Sequence, residues 1–309
     1  MAMAVVSNAW AYQARSSGGE ARLFLSATAC PEGWFTNAPP PTGTTVGARS
    51  VTDGAGCGSL GLVYKLNEDL RLTANVANGY REPNAQDLFF NGPGSVGTVL
   101  GNPDLKPEHS VSYDYGVRWS PSKLALAANG YVMTFKDLIE ALPYAPGTYK
   151  YTNIATATIY GGELEAEYWI FSNLSARTTL SDQIGDITSA SAIQTIYGLN
   201  ANKVPLELVP PFKGSTSLRW TDASHMVWVE ATGRYAWRTN RLPPPIPGVG
   251  QLSTFKKEYV VGDLAMGVRF DEMRLQLGVR NVTDRRYRPA LASVDDPGVS
   301  ATGSLSIDF

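Results

Sequence analysis

The sequence predicts an all-β fold: an antiparallel, up-and-down transmembrane β-barrel wall of about eleven strands. Three observations predict it. Apolar and polar residues alternate with a period of two in segment after segment. Short and long connections also alternate along the chain, so tight turns gather at one end of the sheet and long loops at the other. Aromatics finish the apolar faces at the tight-turn end, where a ring with one wet edge suits a membrane–water interface.

Composition narrows the field before any element is placed. The chain has 309 residues, of which 43% are hydrophobic and only 17% charged, against about 25% charged in an ordinary soluble domain. Its 30 glycines and 20 prolines cut it into short pieces. No run approaches the roughly 18 apolar residues of a spanning helix. A coiled coil, a disordered tail and a helical membrane protein are therefore excluded. With 26 basic and 28 acidic residues, no basic surface recommends nucleic acid as a partner. A soluble β-sandwich alternates too, but seldom needs strands this long or several loops near 20 residues. A propeller or solenoid lacks its fixed period.

The elements follow in order. Residues 22–28 alternate weakly and offer a twelfth strand before 59–66 and 70–80. In 111–119, Val111, Tyr113, Tyr115, Val117 and Trp119 oppose Ser112, Asp114, Gly116 and Arg118. A less clean pattern marks 124–135. In 160–170, Leu164, Ala166 and Tyr168 oppose Glu163, Glu165 and Glu167. Then come 174–185, 213–220, 226–237, 259–270, 273–282 and a final 304–309, in which Leu305, Ile307 and Phe309 share a face. The connections at 67–69, 120–123, 171–173, 222–223 and 271–272 are short. Those at 81–110, 136–158, 186–212, 238–258 and 283–300 are long.

Cys30 and Cys57 lie far from His109 and His225, so no metal site is expected. A disulfide between them and two free thiols both fit the sequence, with an oxidising compartment favouring the bond. Met1 to Val6 lack the basic start and apolar core of a signal peptide, which implies that an exported form has lost its leader from this sequence. Gly56-Cys57-Gly58-Ser59-Leu60-Gly61 matches a dinucleotide fingerprint but leads into a strand rather than a helix. Glu108-His109-Ser110 has no nucleophile elbow to complete a triad. No enzyme is expected.

Four stretches carry a family resemblance. Ala77-Asn78-Gly79-Tyr80-Arg81-Glu82-Pro83, followed by Asp87-Leu88-Phe89, is one. Gly101-Asn102-Pro103-Asp104-Leu105-Lys106-Pro107-Glu108 is the most specific. Asn281-Val282-Thr283-Asp284-Arg285-Arg286-Tyr287 and the terminal Phe309 complete the set. Together they resemble the C-terminal half of the barrel of a TonB-dependent outer-membrane receptor, with 57–309 as barrel and 1–56 as a poorly defined segment and outer loop. The resemblance implies about half of a 22-strand barrel, with the plug domain missing and the chain a truncated fragment. It implies a Gram-negative outer-membrane location, a periplasmic C-terminus and extracellular long loops. It also implies assembly machinery that reads the last strand, and contact with the TonB complex only through the missing plug.

The family takes up ferric siderophores, haem, cobalamin and similar scarce ligands. A haem receptor is expected to offer a histidine between the first two motifs, and none lies between Pro83 and Asn102. A ferric siderophore is favoured, with no resident cofactor. A passive porin-like channel is the first alternative and an outer-membrane hydrolase the second. Expected ligand contacts are Tyr80, Arg81, Phe89, Phe90, Tyr149, Tyr197, Arg238 and Arg241, because arginine forks suit anionic chelates and aromatics give area at small entropic cost. Tyr144, Tyr151, Trp237, Arg286 and Tyr287 lie at the same end. Expected lumen-facing groups include Asp114, Arg118, Glu163, Glu165, Glu167, Arg177, Arg234 and Asp263. The three glutamates repel one another and call for basic neighbours, with Arg177 and Arg118 as candidates.

Overall fold

The computed structural model describes residues 8–16, 19–29, 56–94, 97–206, 209–238, 241–248, 257–290, 292 and 294–308. The strands and helices are β1 (Asn8–Ser16), β2 (Gly19–Ala29), β3 (Gly56–Lys65), β4 (Leu70–Arg81), α1 (Ala85–Phe89), β5 (Asn91–Gly94), β6 (Gly97–Leu100), β7 (Glu108–Trp119) and β8 (Leu124–Ala145). They continue with β9 (Thr148–Phe171), β10 (Leu174–Ile187), α2 (Ala190–Tyr197), β11 (Val204–Pro205), β12 (Lys213–Thr221), β13 (Val227–Ala236), β14 (Tyr259–Phe270), β15 (Met273–Arg280) and β16 (Ser300–Ile307). Thirteen of these strands form one antiparallel meander running from β1 to β16 without a crossover; β5, β6 and β11 stand off that path. No ladder joins β1 to β16 among the described residues.

All eleven predicted strands are present, and β14 has the predicted bounds. The possible twelfth strand at 22–28 lies inside β2, and a further strand, β1, pairs antiparallel with β2 from Asn8 opposite Ala27 to Ser16 opposite Gly19. The largest difference falls at 136–158, expected as a loop. There β8 and β9 continue as a long hairpin, closed by Gly147 at φ 67°. Alternation fails in this extension because Ile139, Ile154 and Ala157 are all buried, so apolar residues are not confined to one face.

The ladder registers give the sheet two chemically distinct faces. Val117 lies between Leu72 and Ala128, Leu164 between Ala128 and Leu180, Leu264 between Ala231 and Val279, and Leu275 opposite Leu305. These residues share an apolar face that is open to its surroundings: Tyr115 is 61% exposed, Leu264 50% and Phe270 68%. So broad an apolar face is an association liability in water and the expected surface in lipid. The buried residues form two small clusters at the long-loop end, not a layer between two sheets. A soluble sandwich would place its core across the middle of the strands.

Cys57 on β3 is disulfide-bonded, as an oxidising compartment allows; Cys30 lies outside the described residues. The Gly56–Gly61 stretch forms part of β3 and cradles no helix.

Candidate ligand-binding site

The long loops rest on the strand ends through three anchors, and the family-like motifs build two of them. In the first, Arg81 donates from Nε to Glu108 Oε1 at 2.6 Å, from Nη2 to Glu108 Oε2 at 3.1 Å and from Nη1 to Asp87 at 2.8 Å. Glu108 also accepts the Ile139 N–H at 2.7 Å, which ties β7 to the long hairpin. Asp87 caps its own short helix by accepting from the Asn84 N–H, while Asn84 accepts from Gln86 and Asp87. Glycine is required at 101, since a Cβ there would stand 2.7 Å from backbone atoms of Leu88 and Phe89. Asn102 donates to the Tyr151 carbonyl at 3.0 Å, and Leu105 buries itself beside Leu88 and Ile139. Pro103 and Pro107 belong to the same crossing.

Arg81 thus holds loop 82–107 in place with its guanidinium. The Tyr80 ring meets that of His109 at a tilt with centroids 5.3 Å apart, Phe89 packs on the small cluster, and Phe90 and Tyr149 remain at least partly exposed. Glu108 and His109 are successive strand residues on opposite faces, and Glu108 is committed to Arg81, so the two do not form an acid–base pair.

The second anchor follows β15. Asn281, fully buried, takes a left-handed φ of 51° and accepts the Arg285 N–H while donating to the Arg285 carbonyl. Its own N–H donates to Asp263 at 2.8 Å. Arg234 forks onto Asp263 at 2.5 and 3.0 Å and donates to the Tyr287 hydroxyl, which donates to Asp296. Asp284 accepts the Val299 N–H, closing the loop. Outside the wall, Arg286 and then Arg288 hold the half-buried Asp295 carboxyl below the usual carboxylate range. Phe309 lies outside the described residues.

The third anchor was not visible in the sequence. Helix α2 turns Ile193 and Tyr197 into a cluster with Ile154, Ile187, Val204, Leu206 and Ile246. Tyr197, expected at the ligand, is 5% exposed and belongs to this core. Beside it, Asp186 at the end of β10 is 1% exposed and sits between two cations: Arg241 at 2.6 Å and Lys203 at 2.8 Å. A cavity of about 280 Å³ opens here, lined by Asp182, Gln183, Phe212, Trp237, Arg238 and Arg241. Trp237 is 61% exposed and meets Phe212 edge-on at 6.2 Å. Arg238 has no ion pair among the described residues. Of the expected contacts, the structure brings Arg238 and Arg241 together here and leaves Tyr80, Phe89, Phe90 and Tyr149 around the first anchor.

The residues expected in the lumen share the polar face by register. Asp114 lies opposite Tyr131, Arg118 opposite Ala127, Glu167 opposite Arg177, Thr179 opposite Glu165, and Thr232 opposite Asp263. Glu163 and Arg234 flank the same row across Ser181, Lys213 and Ser215. Of the two basic neighbours expected for the glutamates, Arg177 pairs with Glu165, whereas Arg118 makes no such contact among the described residues. Arg219 pairs loosely with Glu230 and lies 4.1 Å over the Trp228 ring. No group of three metal-ligating side chains exists among the described residues.

The model of the TonB-dependent receptor-like β-barrel matches residues 35–282. The chain belongs to that family. A probable TonB-dependent siderophore receptor, PirA of Acinetobacter baumannii, is 25% identical over 286 residues, covering 81% of this chain and 38% of PirA. The vitamin B12 transporter BtuB of Vibrio vulnificus is 32% identical over 109 residues, covering 35% of this chain and 17% of BtuB. Among solved structures, the copper transporter OprC superposes with a TM-score of 0.69 at 21% identity, over 94% of this chain and 45% of OprC. A mutant of the ferric enterobactin receptor PfeA of Pseudomonas aeruginosa superposes at 0.62 and 20% identity, over 96% of this chain and 46% of PfeA. This TonB-dependent receptor barrel therefore spans less than half the length of those relatives, and the structural likenesses establish its fold.

Proposed function

We propose that this chain forms wall and outer loops of an outer-membrane receptor for a ferric siderophore or similar anionic chelate, coupled to TonB in the full-length form. Its polar face is assigned to the barrel interior, its long loops to the cell exterior and its C-terminal end to the periplasm. The terminal strand is assigned the role of assembly signal, and TonB contact is assigned to the plug of the full-length form. The observation that carries the ligand reading is the cavity at the outer end of β10. Its lining carries two cations, Arg238 and Arg241, against one carboxylate, Asp182, beside exposed Trp237. A cationic, aromatic-walled recess favours a flat anionic chelate.

The test uses Trp237→Ala with Arg238→Gln in the full-length gene, since neither side chain belongs to an anchor. Ferric-siderophore binding is expected to weaken about tenfold or more at unchanged surface level. Unchanged affinity rejects the cavity as the site. Steady ion conductance from the purified protein, with no chelate binding, favours a passive channel instead.

A further inference from the structure

One feature of the third anchor exceeds what holding the loops requires. Asp186 is a buried carboxylate held from two different connections: Arg241 after β13 donates to its Oδ1, while Lys203 after α2 lies at ion-pair distance from its Oδ2, an oxygen that accepts no hydrogen bond among the described residues. Those connections already meet through Ile193, Val204, Leu206 and Ile246. Buried ion pairs are commonly replaceable by apolar contacts with no loss of stability, so docking the loops does not call for one. What apolar packing cannot do is fix the direction of a guanidinium. Arg241 gives Asp186 the Nη2 donor at 2.6 Å, and its side chain stays 39% exposed while lining the cavity. Lys203 is ion-paired at 2.8 Å with the other oxygen, so the carboxylate does not cancel the charge of Arg241 alone.

We propose that Asp186 is a positioning residue that presents Arg241 to the anionic part of a ligand in this cavity, and so sets the preference for anionic over neutral chelates. The inference rests on the cavity being the chelate site.

The sign of one substitution separates positioning from simple charge. Asp186→Asn removes a negative charge beside the cavity. If Asp186 only subtracts from the local potential, the variant binds an anion more tightly. If it aims Arg241, the variant binds less tightly. Outer membranes from cells carrying the intact gene are titrated with two probes: the trianionic ferric tris-complex of N,N-dimethyl-2,3-dihydroxybenzamide and the neutral ferric tris-complex of acetohydroxamate. Wild type is expected to prefer the trianion, and Asp186→Asn to lower that preference about tenfold with little change for the neutral probe. Arg241→Lys, which keeps the charge and loses the fork, is expected to match it, with no further loss in the double variant. Tighter binding of the trianion, an equal loss for both probes, or additive losses would overturn the proposal. A wild type that binds neither probe removes the chelate reading itself, a different result from any of these.

Discussion

Leu218→Arg is expected to leave most of the protein outside the folded, membrane-inserted state, while Ser217→Arg assembles nearly as wild type. The two positions are neighbours on β12 and face opposite ways. Leu218 is 50% exposed on the apolar face, opposite Ala176 and Ala231; Ser217 lies on the polar face, opposite Arg177 and Thr232. An arginine near the middle of the lipid-facing band costs about 2–4 kcal/mol, and one facing water inside a barrel costs little. The heat-modifiable folded fraction in isolated outer membranes reads this directly. Equal assembly of both variants would remove the face assignment.

Glu108→Ala is expected to release loop 82–107 without unfolding the wall. The Glu108 side chain is 10% exposed and satisfies two Arg81 donors and the Ile139 N–H. Removing it strands a buried N–H and a guanidinium that keeps Asp87. Breaking a buried pair from one side costs about 3–5 kcal/mol, and partly exposed Arg81 lowers that here to about 2–3 kcal/mol. Limited proteolysis should cut between 82 and 107 in the variant and spare wild type, while the folded fraction stays constant. Cleavage at the wild-type rate would show that the motif does not anchor the loop.

The wall was legible in the sequence wherever one strand meets two different surroundings. Val260, Leu264 and Met266 against Asp263 and Gly267 write both faces of β14, and its bounds follow without further information. The loop-side halves of β8 and β9 were not legible, because loops bury parts of both faces and erase the contrast. Helix α2 hides for a related reason. Its eight residues carry an apolar pair, Ile193 and Tyr197, whose purpose appears only once Ile154 and Ile246 are beside them.

The motif Gly101–Glu108 was visible as a motif, but its work was not. Arg81 and Glu108 are 27 residues apart, and the close pass of Gly101 over Leu88 is a property of the folded loop. Asp186 gave no signal at all. It is one aspartate at a strand end, and its importance lies in two cations that arrive from other loops.

In the proposed receptor the sheet separates lipid from water across its own thickness. Nitroxides placed in turn at Ser215, Thr216, Ser217 and Leu218 of the bilayer-reconstituted protein test it most directly. Positions 216 and 218 should be accessible to oxygen and shielded from a water-soluble nickel chelate. Positions 215 and 217 should show the reverse, giving a two-residue period. Uniform access to the nickel chelate at all four positions, or no alternation, would contradict a membrane-spanning wall.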